Sequence, residues 1–151
     1  MRKKLFWGIS GVAVVVIAAL AIGQFVRAGT KVQVGAPCNM ADRPSLDAVD
    51  HSAFDALLQK YVDDRSLVAY AKWKDNAGDL QALDQYLARM GCVDLGKPAA
   101  KAAQLAYWIN IYNALTIRGI LREYPTTSIR NHTAKLGGYN IWKDLLIWGG
   151  R

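Results

Sequence analysis

Within Trp108-Ile-Asn-Ile-Tyr-Asn-Ala114 two carboxamides and two aromatic rings fall close together in otherwise apolar sequence. On a helix Asn110 and Asn113 are three residues apart on one face, and Trp108 and Tyr112 are four apart on another. Amides in such surroundings need hydrogen-bond partners, because an unpaired buried amide costs about 1–3 kcal/mol. Two roles fit. Either the pair ties its helix to neighbouring loop backbone, or it lines a pocket and orients a substrate or an ion, with Gln104, Trp108 and Tyr112 in support.

Other chemistry-bearing residues form no motif. His51 and His132 have no ligating neighbour at metal spacing, so they read as surface or capping residues and no metal site is expected. Asp50, Asp55, Asp63, Asp64 and the sole glutamate Glu123 make no paired-carboxylate motif, and there is no glycine-rich phosphate loop or nucleophile elbow. No cofactor is implied. Cys38 and Cys92 are the only cysteines. They are a candidate disulfide in an oxidising compartment, against the alternative of two unrelated thiols.

The elements that position these residues begin after a linker. Residues 28–45, with Gly29, Gly35, Pro37 and Pro44, read as an extended connection. From Ser52 to Val62 the spacing of Phe54, Leu57, Leu58, Tyr61 and Val62 predicts an amphipathic helix, with Ser52 able to cap it. Leu67 to Tyr70 reads as a short strand. After Asp75 a second helix carries Leu80, Leu83, Leu87 and Met90 and stops at Gly91. Pro98 opens a third helix that runs to Glu123 before Pro125.

This third helix is apolar on most of its circumference, which predicts a buried central element, with Leu105, Trp108, Ile109, Tyr112 and Leu115 among the least exposed side chains. Gly149-Gly150 suits a hairpin turn after a strand whose partner is missing, so residues after Leu136 are expected to lack order. The fold class is mainly α (α+β), with a small strand component, over residues 46–151.

With 151 residues, 52% of them hydrophobic and 21% charged, the chain fits one globular domain rather than a disordered or disulfide-stapled chain. Its net charge of +7 is concentrated at the amino end. From Ala28 onward 15 basic and 12 acidic residues are interspersed with no basic stripe, which speaks against nucleic-acid binding.

Residues 5–26 carry no charge, and a helix of that length spans about 33 Å, enough for a hydrocarbon core of about 30 Å. Residues 1–27 therefore read as a signal-anchor with the lipid bilayer as partner. Arg2, Lys3 and Lys4 outweigh Arg27 and Lys31, so the amino terminus is expected in the cytoplasm and the domain on the periplasmic or extracellular side of the inner membrane. The alternative is secretion after cleavage near Ala28.

Four blocks carry a family resemblance: Asp50 to Val62, Val68 to Tyr70, Gln104 to Leu115, and Tyr124 to Ile129. Together they resemble bacterial members of the domain of unknown function 547 family, over roughly Asp50 to Gly150. Two departures stand out. Val68-Ala69-Tyr70 replaces the family's valine-aspartate-tyrosine, and the family's later histidine- and cysteine-bearing segments have no counterpart. The resemblance implies an amino-terminal portion of that domain, whose activity is unassigned. Two functions are expected: an exported, membrane-anchored module that binds a partner or small ligand, or the front part of a hydrolase-like enzyme whose histidine and cysteine lie in a continuation.

Overall fold

A computed structural model describes residues 32–34, 38, 43–129 and 145–147. Their order is β1 (Val32–Val34), a 3-10 turn (Leu46–Ala48), α1 (Ser52–Tyr61), α2 (Tyr70–Lys74), α3 (Ala77–Gly91), α4 (Lys101–Glu123) and β2 (Leu145–Ile147). The class is mainly helical. None of these helices is long and apolar enough to cross a membrane, and the charge-free run at residues 5–26 lies outside the described residues.

The core forms where α1, α2 and α4 all pack against α3. Helix α3 places Leu83, Tyr86, Leu87 and Met90 inward, and the first three are completely buried. Asn76 caps it by accepting a hydrogen bond from the Asp79 amide at 3.0 Å. Helix α1 turns Phe54, Leu57 and Tyr61 onto this core, with Phe54 stacked on Tyr86 at a centroid distance of 5.0 Å. Ser52 is its first helical residue rather than its cap. The Asp50 carboxylate accepts from the Ser52 amide at 2.8 Å and from its hydroxyl at 2.9 Å.

Between α1 and α2 the chain reverses through a turn held by Asp63, whose carboxylate accepts the Arg65 and Leu67 amides at 3.0 and 2.8 Å. Ser66 takes a left-handed conformation there, with φ of 62°. The strand expected at Leu67 to Tyr70 reduces to one antiparallel bridge between Val62 and Val68. Tyr70 instead starts a short helix, because that turn brings Trp73 flat against Tyr61 at 4.6 Å and buries its indole completely.

Helix α4 starts at Lys101, three residues after Pro98. The Ala100 amide before it donates to the Asp47 carboxylate at 3.1 Å, tying the start of the helix to the 3-10 turn. At its other end the Lys74 ammonium donates to the Arg122 carbonyl at 3.3 Å and to the Tyr124 carbonyl, where a cation also suits the helix dipole. Arg118 forms a forked pair with Asp84 of α3, at 2.5 and 3.1 Å.

The missing strand partner comes from the stretch read as linker. β1 and β2 pair in parallel, in the register Val32 to Leu145, Gln33 to Leu146 and Val34 to Ile147. Val34 is buried in the core, so residues 32–34 belong to the fold. Leu145–Ile147 likewise forms a strand. Pairing so distant in sequence replaces the hairpin that Gly149-Gly150 suggested, and that turn lies outside the described residues.

Candidate functional site

Helix α4 does not bury the stripe that its sequence led us to expect. Tyr107, Ile111, Ala114, Ile117 and Leu121 face the core, whereas Leu105, Trp108, Ile109 and Tyr112 are 61%, 54%, 51% and 57% exposed. Leu115 is half-buried at the edge. The reason is geometric. A helix apolar all round has no preferred inward face in its own sequence, and α3 selects one by accepting the Tyr107 hydroxyl on the Met90 carbonyl at 3.0 Å and the Arg118 fork on Asp84. Those anchors turn residues 105, 108, 109 and 112 outward.

The outward stripe is continuous. Its positions fall at i, i+3, i+4 and i+7, one side of two successive turns. An open cavity of about 610 Å³ lies along it, walled by Trp108, Ile109, Ile111, Tyr112, Asn113 and Leu115. Trp108 is set edge-on to the buried Tyr107 ring, with centroids 5.1 Å apart and an interplanar angle of 80°. The indole is thus propped at its base while its outer face stays open.

Of the two carboxamides, the structure brings only Asn113 into this wall. Asn113 is exposed and Asn110 is half-buried, and neither side chain meets a hydrogen-bond partner among the described residues. The amide tie to loop backbone is therefore absent there. Gln104 does make such a tie, its amide donating to the Ala99 carbonyl at 2.8 Å, and so belongs to the start of the helix rather than to the cavity. What the arrangement offers chemically is a largely apolar surface with the Tyr112 phenol in its wall and one carboxamide at its margin.

The histidines stay apart from the cavity. His51 lies at the start of α1 with Nδ1 2.8 Å from the Tyr86 hydroxyl, and burial holds its pKa below the ordinary 6.5. His132 lies outside the described residues. Asp79 accepts from Lys60 at 2.5 Å and from the Tyr61 hydroxyl, and the Lys60 bond, then that of Tyr61, keep its carboxyl below the usual carboxylate value. A smaller cavity of about 280 Å³ opens over Tyr61 between Lys60 and Lys72, with Ala69 in its wall. Sequence reading had no means to find this cluster, since Lys60 and Asp79 sit on different helices. Among the described residues no group of three or more histidine, cysteine or acidic side chains is placed to hold a metal ion.

Cys38 and Cys92 are both free thiols and half-buried.

The model of a family described as "Protein of unknown function, DUF547" matches residues 97–146. The chain thus resembles that family through the segment that holds all of α4, the cavity wall and the first part of β2. No curated protein and no solved structure matches it. Residues 97–146 are similar to a family of unknown function, and the described residues are mainly helical, with an apolar outer face on their longest helix.

Proposed function

We propose that this chain is a binding module whose docking face is the outer stripe of α4, and that its partner presents an apolar helix face. The exposure of Leu105, Trp108 and Ile109 on successive turns carries the reading. Three large apolar side chains in one strip are costly to leave in water, at about 25 cal/mol per Å² of apolar area. The i, i+3, i+4 spacing of these three is that of a seam between two packed helices, whose ridges fit the grooves of such a stripe. Asn113 at the margin supplies a polar contact that fixes register.

The test is dye binding. The full chain should bind a naphthalene sulfonate dye, and Trp108→Ala with Ile109→Ala should remove most of that signal while leaving the thermal midpoint close to the parent's. Leu67→Ala with Leu95→Ala, at two other exposed apolar positions, should leave the dye signal in place. Equal dye binding by all three proteins would defeat the proposal.

The second reading, the front part of a hydrolase-like enzyme, places its histidine and cysteine in a continuation, and reading the coding sequence downstream of Arg151 tests it. For placement in the cell, the charge-free run at residues 5–26 and its basic flank support an inner-membrane anchor with the domain exported. Alkaline carbonate extraction followed by amino-terminal sequencing tests this. A soluble chain starting near Gly29 would mean a cleaved signal instead.

A further inference from the structure

Away from α4, the turn between α1 and α2 brings two lysines to one tyrosine ring. The Ala69 amide donates to the Tyr61 carbonyl at 2.8 Å and the Asp63 amide to the Leu67 carbonyl at 3.0 Å, which lays the start of α2 beside the end of α1. Lys60 and Lys72 both reach Tyr61, their ammonium nitrogens 5.4 and 6.0 Å from its ring centroid. The ring itself is fixed. It is buried and stacked on Trp73 at 4.6 Å, and its hydroxyl donates to Asp79. The cavity of about 280 Å³ opens here, walled by Val62, Leu67, Val68 and Ala69 beside the two lysines.

Donors outnumber acceptors around this opening. Lys60 gives one bond to Asp79 at 2.5 Å and keeps two donors, and no carboxylate among the described residues forms a salt bridge with Lys72. Asp63 also lies in the wall, but its carboxylate is turned onto the Arg65 and Leu67 amides at 3.0 and 2.8 Å. Asp79 offsets the charge of Lys60, so the Lys72 ammonium is the one left unmatched.

We propose that this cavity binds a small monocarboxylate with a short apolar tail, its carboxylate on Lys72 and Lys60 and its tail against Val62, Leu67 and Val68. One unmatched ammonium suits a single negative charge, whereas a dianion would add repulsion from Asp63 and Asp79. A tail covers apolar side chains that now face water, and Leu67 is 56% exposed. Size sets its length. At about 30 Å³ for each water-sized group the cavity holds about nine, a carboxylate and about six further carbons, too few for a naphthalene sulfonate dye. Lys60 stays charged in this role, because its bond to Asp79 holds its pKa above the ordinary value.

The experiment titrates the full chain with heptanoate, followed by nuclear magnetic resonance at the Val68, Ala69 and Lys72 amides. Their shifts should saturate with a Kd of about 1 mM or tighter. Heptan-1-ol, which carries the tail without the charge, should bind at least about tenfold more weakly. Lys72→Gln should weaken heptanoate binding at least about fivefold. Ala69→Asp should weaken it at least about tenfold by placing a carboxylate in the wall, at a position before the first turn of α2 where aspartate suits the fold. Trp108→Ala with Ile109→Ala, on the α4 face, should leave the titration unchanged.

Shifts that do not saturate, equal affinity for heptan-1-ol, or undiminished binding by Lys72→Gln or Ala69→Asp each overturn the proposal. So does inorganic phosphate bound as tightly as heptanoate, which would make this a general anion site, or loss of binding in the α4 variant, which would put heptanoate on that face. The parent's preference for heptanoate over the alcohol and phosphate decides the question even if a variant fails to fold.

Discussion

At Asn113 the sequence and its neighbours point in different directions. A carboxamide between Ile109 and Ile117, one turn away on either side, looks costly unless tied, yet the side chain stands in water at the edge of the α4 cavity. Asn113→Ala should therefore change stability by no more than about 0.5 kcal/mol, read by chemical denaturation. A loss of about 1–3 kcal/mol would mean that the amide has a buried partner. His51 gives the second expectation at this scale. Burial lowers its folded pKa, so between the folded value and the unfolded 6.5 the unfolded chain binds more protons. Its contribution to stability is then complete above pH 6.5 and is lost as pH falls through the folded value. A denaturation midpoint that drops between about pH 7.5 and 5, and drops less in His51→Gln, is the expected result.

Among the elements, legibility followed amphipathicity. Helices α1 and α3 have apolar residues on one stripe and polar ones opposite, so spacing alone identifies Phe54, Leu57, Leu83 and Leu87 as inward. Helix α4 has no such contrast, and its orientation is decided by Tyr107 and Arg118 reaching α3. The run at Leu67 to Tyr70 was too short to separate strand from helix, and what settled it was Trp73, further along, needing the Tyr61 ring. One contrast tests this picture. Leu83→Ala, in the fully buried stripe of α3, should cost about 2–5 kcal/mol. Leu105→Ala, in the outward stripe of α4, should cost no more than about 0.5 kcal/mol. Similar losses at both sites would show that the outward stripe is packed against something in the folded chain.

For the whole molecule, the mainly helical class was readable from periodicity, whereas the β1 and β2 pairing joins residues 32–34 to 145–147 and leaves no local signal. The family match at residues 97–146 falls on the helix with the outer face, which makes that face the property worth testing first. Hydroxyl-radical labelling of the folded, monomeric chain, read by mass spectrometry, addresses it most directly. Leu105 and Trp108 should label at rates within a few-fold of the denatured chain, while Trp73 and Tyr86 should be protected by at least about tenfold. Protection of Leu105 and Trp108 equal to that of Trp73 in the monomer would contradict the account, since the stripe would then be core and not a docking face.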